Sequence, residues 1–287
     1  MGACSGVCQQ QAKTIVNESA IVTETIIQAL QEDTTISRPI QREERYLKME
    51  TGAIYEGDLV KGIRSGRGRQ VWPDGSYYEG DFVNDMADGK GILVNAEGSV
   101  YDGEWLEDKA SGFGKYHSHD GLYYEGQWLE DKQHGIGKEI NQRNECYEGE
   151  FFRGAKQGFG KLSLNDEEFY EGEFQSGMMH GKGTYTWRSK KSYTGEWKEG
   201  RMDGFGIMKW EDGRYYEGEF QKGKQHGEGT FVWKGKKYVG AWINGYQEGE
   251  GTYYNEQGES RVGIWKNGKR QEWLDYLSSS NSIEQTF

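Results

Sequence analysis

The chain has little of several things that commonly organise a protein. Its three cysteines, Cys4, Cys8 and Cys146, are too few and too scattered for a disulfide framework, which points to a reducing compartment. No apolar run reaches the ~18 residues of a membrane span, and no charged and apolar leader of a secretory signal precedes Tyr55, so an intracellular protein is expected. Basic residues are also short: 35 Lys and Arg face 47 Asp and Glu, a net charge of −12. A generally acidic surface repels phosphate backbones and anionic lipid heads, which argues against nucleic acid and leaves protein partners as the better fit. Only 34% of residues are hydrophobic and the mean hydropathy is −0.96, values that by themselves would suit a disordered chain.

What is present overrides that reading. Ten Trp, 19 Tyr and 11 Phe recur in register with 44 Gly, whereas disordered chains are poor in aromatics. A Tyr-x-Gly pattern, usually closed by Trp or Phe, starts at Tyr55, Tyr78, Tyr101, Tyr124, Tyr147, Tyr170, Tyr193 and Tyr216, a period of 23 residues. A ninth copy begins at Tyr238 after 22 residues. A degenerate tenth has Arg261 in the Tyr slot and Trp265 closing it. Self-similarity at this period marks stacked supersecondary units.

Each unit has two halves. Eleven residues after the Tyr comes Gly-x-Gly, as at Gly66 and Gly68, Gly181 and Gly183, or Gly227 and Gly229. Tyr193, Gly195 and Trp197 alternate, as do Gly181, Gly183, Tyr185 and Trp187, so each half reads as a strand with one aromatic face. These glycines are expected to be structural, bare backbone across which a ring can lie. Asp74-Gly75, Asp120-Gly121 and Asp212-Gly213 are read as tight hairpin turns, and the opposite turns, such as 222–227, as longer ones. The missing residue of the ninth period falls in the Asp-Gly type of turn, at Lys234-Gly235-Lys236. The expected fold is all-β: an elongated, single-layer, twisted antiparallel sheet of β-hairpin repeats, roughly 90 Å long at about 4.8 Å per strand.

Three segments follow. Residues 1–45 are an N-terminal helix, Gln9–Leu30, and a polar linker; 46–265 are the repeat array; 266–287 are a C-terminal capping helix and tail. Ile15, Val22, Ile26 and Ala29 mark one face of the first helix, and Trp273 and Leu277 share a face of the second, expected over Lys269–Leu277. Capping the sheet ends is the plainer role for both; insertion into a partner or a lipid surface is the alternative for the first. The start Met-Gly-Ala-Cys is similar to a dual-acylation signal, with Gly2 and Cys4 as candidate acylation sites, although Gly6 stands where Ser or Thr is usual.

Catalytic chemistry has no foothold in this pattern. His134, His180 and His226 are spaced 46 residues apart, two repeats, too far for one metal or one proton relay. The Gly-x-Gly elements lack the P-loop and dinucleotide-binding contexts. Glu148 and Glu150 are read as a solvated face, and Cys146 as packing. No enzyme, cofactor or metal site is expected.

Tyr-Glu-Gly-Glu-Phe followed by Gly-x-Gly-Thr-Tyr-x-Trp closely resembles the MORN repeat (membrane occupation and recognition nexus), over Tyr55 to about Trp265. The near-consensus copy is Tyr216-Glu-Gly-Glu-Phe220 with His226-Gly-Glu-Gly-Thr-Phe-Val-Trp233. The resemblance implies a non-catalytic scaffold of the stand-alone type, similar to radial spoke head and cytoskeletal members, whose grooves hold helices or extended segments of partner proteins. It implies residence in the cytoplasm, on a ciliary or flagellar axoneme; the alternative is an acyl-anchored tether between membrane and cytoskeleton. By the same resemblance the grip would come from Trp105, Trp128, Tyr185, Trp187, Trp197, Trp233 and Trp242.

Overall fold

The computed structural model describes residues 46–274. The N-terminal helix, the candidate acylation sites and residues 275–287 lie outside them. The described residues form 21 strands, all paired antiparallel, with no helix among them. The chain divides after Gly177 into two compact units. In the N-terminal unit strands run from Tyr46–Lys48 to Phe169–Gln175, and in the C-terminal unit from Met178–Thr186 to Lys269–Trp273, each bonded within its own unit to its neighbours in sequence.

The repeat at Tyr147 shows why the sequence folds this way. Cys146–Phe152 pairs with Ala155–Ser163 across Arg153-Gly154, both at positive φ (50° and 87°), a two-residue turn whose twist suits the flanking strands. Midway, Gly149 pairs with Gly160 but Phe151 pairs with Lys156, so Glu150 alone faces Gln157, Gly158 and Phe159. This bulge leaves backbone groups without ladder partners, and the repeat supplies replacements. The Tyr147 hydroxyl donates to the Glu150 carbonyl at 2.9 Å, and Glu150 Oε1 accepts the Phe159 N–H at 2.9 Å. Gly158 takes φ +65°, and a Cβ on it would meet the Glu150 carboxylate at 2.5 Å. Glu150 is therefore a bulge cap and not simply solvated surface, because the extra residues of the facing strand turn a free amide toward it. Glu148, two residues earlier, pairs with Lys138 at 3.0 Å.

The two glycines of each Gly-x-Gly thus answer different needs. The first, as in Gly66 (φ +85°), Gly181 (+55°) and Gly227 (+57°), allows the left-handed backbone of the bulge. The second lies under a ring: a Cβ on Gly68 would be 2.4 Å from Tyr55 Cζ, and one on Gly229 2.5 Å from Tyr216 Cζ.

The tightness of the turns is the reverse of the expectation from Asp-Gly. Within a repeat the turn has two residues, as at Lys222-Gly223 (φ 49° and 83°). Between repeats it is longer: Val71 pairs with Tyr77, the Trp72 N–H donates to Ser76, and Gly75 (φ 87°) closes three residues. Asp74 there accepts from the Ser76 N–H and hydroxyl, so it starts a wider turn and does not fill a two-residue one. The 22-residue period comes from this difference. Trp233 pairs with Lys236 across Lys234-Gly235 alone (φ 46° and 71°), two residues where the sister turns use three.

The core of each unit is a ladder of rings. Tyr55, Tyr124, Tyr147, Tyr170, Tyr193, Tyr216 and Tyr238 are fully buried. The Trp or Phe of one repeat wedges edge-on between its own Tyr and the preceding one, as Trp105 does with Tyr101 and Tyr78 (5.1 and 5.2 Å) and Trp242 with Tyr238 and Tyr216 (5.6 and 5.1 Å). Cys146 packs, buried, with Tyr123 and Ile140.

The C-terminal end of the described residues departs from the expected helix. Lys269–Trp273, expected as the start of a helix, is a strand paired with Ser260–Lys266 across Asn267-Gly268, the same two-residue turn as in every other repeat. Trp273 packs against Trp265 at 6.0 Å, and a Cβ on Gly263 would lie 3.0 Å from it, so it covers the glycine that Tyr covers elsewhere. Arg261 in the Tyr slot left that glycine bare, and Trp273 fills the space. Leu277 lies outside the described residues.

Candidate protein-binding surface

Side chains on the Tyr face fall into rows, one residue per repeat. The row of Trp105, Trp197 and Trp242 is buried. Their indole Nε1–H groups donate to the carbonyls of Gly91, Gly183 and Gly229 at 3.0, 3.1 and 3.2 Å. Trp128 is half-buried and donates likewise to Gly114 at 3.1 Å. These four tryptophans, placed by the resemblance in the grip, are occupied as core: their rings fill the ladder and their single donor is used.

Tyr185 and Trp233 lie on the second strand of their repeats and Trp187 just after it, all half-buried; Tyr185 pairs with Tyr193 and lies 6.1 Å from Trp197, at the margin of the ladder. In the C-terminal unit they belong to two aromatic groups, the pair Tyr185 and Trp187 and a run from Trp210 through Phe231, Trp233 and Tyr253 to Trp273. Tyr185 meets Trp187 at 4.6 Å, Trp210 meets Phe231 at 5.8 Å, Phe231 stacks on Trp233 at 5.2 Å, and Tyr253 lies 6.1 Å from Trp233 and 5.9 Å from Trp273. Trp210, Phe231 and Tyr253 join this surface beyond the residues that the resemblance points to. The signal was there, since Trp210 stands 23 residues after Trp187 and 23 before Trp233.

The corresponding face of the N-terminal unit is more polar. It holds an open hollow of about 600 Å³ lined by Trp72, Leu93, Trp105 and Arg64 among others. Arg64 lies over the Phe82 ring at 4.9 Å and pairs with Asp85 at 3.2 Å. Further along, Lys156 Nζ and Glu139 Oε1 form a largely buried pair at 2.7 Å. On the opposite face of this unit the middle residues of three successive Gly-x-Gly elements, Phe113, Ile136 and Phe159, are 51, 63 and 56% exposed.

The histidines are dispersed. His117 lies 4.6 Å from the Tyr123 ring and His134 5.4 Å from Phe152. Burial pushes the His117 imidazole below its usual range, favouring the neutral form. Among the described residues no three His, Cys, Asp or Glu side chains are grouped to hold a metal ion. What both units offer a ligand is therefore a shallow, ring-lined face that suits apolar and charged contacts along a chain.

No curated protein matches the chain. Solved structures give weak likenesses. The TCP10 domain of Danio rerio CPAP is 11% identical with a TM-score of 0.28, covering 75% of this chain and 96% of that one. The SAS-4 (dCPAP) TCP domain of Drosophila melanogaster, solved with a proline-rich motif of Ana2, is 7% identical with a TM-score of 0.26, covering 79% and 95%. Virginiamycin B lyase of Staphylococcus aureus is 9% identical with a TM-score of 0.17, covering 77% and 83%. Overlaps this low carry no argument about function. The MORN repeat family, in contrast, matches nine times, at residues 55–77, 78–100, 101–123, 124–141, 147–167, 170–191, 193–213, 216–235 and 238–259. With the Tyr, bulge glycine and capping acid of those segments each given a structural task, this chain belongs to the MORN-repeat family.

Proposed function

We propose that the protein is a non-catalytic scaffold that holds a helix or extended segment of a partner protein along its Tyr face. The observation that carries this reading is the half-buried aromatic surface of the C-terminal unit, the pair Tyr185 and Trp187 and the run Trp210, Phe231, Trp233 and Tyr253. Rings that are half-buried at the edge of a fixed sheet are already ordered, so a partner can cover them without the entropy cost of organising a loop. Large rigid aromatics are also the residues that most often dominate interface energies.

The partner belongs to a large cytoplasmic assembly, and the axoneme of a cilium or flagellum, such as its radial spoke, is the setting we favour. That placement rests on analogy with stand-alone scaffold members of the family. The acidic net charge of −12 makes a lipid surface the weaker setting for the repeats.

Affinity capture from native extract with full-length protein tests the binding role. A Trp187→Ala, Trp233→Ala variant is expected to lose the captured partner while keeping the β-sheet spectrum of the parent. Retention of the same partner by that variant would remove the aromatic face from the mechanism. A C-terminal fluorescent tag is expected to label axonemes; a cortical or vesicular signal would instead support the tether, and acyl groups on Gly2 and Cys4 in the native N-terminal peptide would show how it is attached.

A further inference from the structure

Three successive repeats of the C-terminal unit carry the same pair of residues at the turn between repeats. Trp187 faces Lys191, Trp210 faces Arg214 and Trp233 faces Lys236 across the turn, all on the Tyr side of the sheet. Lys191 Nζ lies 4.0 Å above the Trp187 ring, and the Arg214 guanidinium lies 5.4 Å from that of Trp210. The facing positions of the N-terminal unit hold Ser76, Ser99, Leu122, Glu145 and Glu168, and the last one of the C-terminal unit holds Glu259. A tryptophan and a cation side by side, three times over, therefore form a basic aromatic strip on a chain whose net charge is −12. Two carboxylates pair with its cations, Asp212 with Arg214 at 2.7 Å and Glu256 with Lys236 at 3.5 Å, and Glu211 pairs beside it with Lys190 at 3.0 Å. Both carboxylates are more than half exposed, and exposed pairs of this kind exchange partners at little cost.

The spacing of the rows selects the conformation of what can lie on them. One repeat is two strands, so successive Trp–cation pairs are separated by about 9.4–9.8 Å. A polyproline II helix brings every third residue back to one side after about 9.3 Å. An α-helix needs seven residues and about 10.5 Å, and falls roughly 2 Å out of step over the three rows. An extended strand returns to one side at about 6.6 or 13.2 Å and matches neither.

We propose that this strip is the docking site of an acidic, proline-containing segment in the polyproline II conformation, with proline rings against the three tryptophans and carboxylates at the three cations. The inference rests on the scaffold reading above and specifies the partner's chemistry. Proline against tryptophan buries apolar area in a segment that is already stiff, which keeps its ordering cost low.

The test is fluorescence anisotropy of the full chain with labelled (Pro-Pro-Glu)5, set against (Pro-Pro-Lys)5 and a helix-forming peptide of equal glutamate content. (Pro-Pro-Glu)5 is expected to bind best. Reversal of the cations in a Lys191→Glu, Arg214→Glu, Lys236→Glu variant is expected to weaken it by about tenfold or more, since three ion pairs become repulsions, with the melting curve little changed. Equal or tighter binding of the acidic helical peptide overturns the proposal, as does binding of (Pro-Pro-Glu)5 that ignores the charge reversal. Binding to phosphatidylserine vesicles, lost on charge reversal and without peptide binding, would assign the cations to lipid head groups and equally overturn it. Should the native partner depend on Trp187 and Trp233 but not on the three cations, the scaffold reading stands and this inference falls.

Discussion

The ring of Tyr55 lies across the backbone of Gly68, so close that a Cβ on that glycine would sit 2.2 Å from the phenol oxygen and 2.4 Å from the ring. The same contact joins Tyr147 to Gly160 and Tyr193 to Gly206. Gly68→Ala must push a buried ring out of a close-packed ladder, at a cost of roughly 1–3 kcal/mol. Gly62→Ala, in a turn with φ +77° and nothing within 4 Å of the added atom, meets only the backbone preference, about 1 kcal/mol. Urea unfolding should rank Gly68 above Gly62. The paired change of Gly181 and Gly183 to Val is expected to destabilise in two distinct ways, by the left-handed φ of 55° at the first and, as at the equivalent Gly68 and Gly229, by crowding at the second.

Bulge capping is testable at Glu150. Removing its carboxylate in Glu150→Ala leaves the Phe159 amide without the acceptor it has at 2.9 Å, and should cost on the order of 1 kcal/mol. Glu150→Gln keeps an acceptor, as Gln127 does naturally for the Ile136 N–H at 2.8 Å, and should be nearly neutral. Hydrogen exchange at the Phe159 amide is the direct reading. Equal protection in both variants would count against the cap.

Alkaline pH should unfold the array earlier than a fold with exposed tyrosines. Burial, reinforced by Glu228 and Glu248, raises the Tyr238 phenol from 10.0 to about 12. Burial likewise pushes up Tyr101, Tyr147 and Tyr216. The folded state holds these protons more tightly than the unfolded chain, so their contribution is whole below pH 10 and falls as pH climbs through the folded values. Stability measured by urea titration should decline between about pH 10 and 12, with tyrosinate absorbance appearing together with unfolding. Free titration of these phenols near 10 in the folded protein would contradict their burial.

Two tryptophan replacements should separate core from surface. Trp197→Ala empties a buried site 5% exposed and removes the bond to Gly183, a loss of about 3–5 kcal/mol. Trp187→Ala, half-buried beside a turn, should cost clearly less stability and show its effect in partner capture. Denaturant midpoints and capture on the same samples decide between them, and a reversed order of stabilities would undo the division of the tryptophans made above.

Much of the fold was legible along the chain because each repeat states its strands locally. Alternation of Tyr, Gly and Trp at 193–197 is a property of neighbouring residues, and so is the Gly-x-Gly that follows. The end at Trp273 was not legible in the same way: Lys269–Trp273 has no glycine pair, and only its place after Asn267-Gly268 identifies it as the tenth second strand. Its helical reading relied on the spacing of Trp273 and Leu277, which says nothing about the bare Gly263 across the strand.

The sequence by itself determined the all-β repeat architecture, its number of clear copies, the ring-over-glycine core and the turn that lost a residue, since a period of 23 repeats one set of local preferences. Only the tertiary structure decided which turn is tight, that Glu150 serves a bulge, and that Trp105, Trp197 and Trp242 are interior while Trp187, Trp210 and Trp233 are half-buried. The reason is that these properties belong to pairs of strands. A bulge exists only once a strand meets its partner out of step, and a tryptophan is buried or available according to the Tyr of the repeat beside it, which its own segment does not contain.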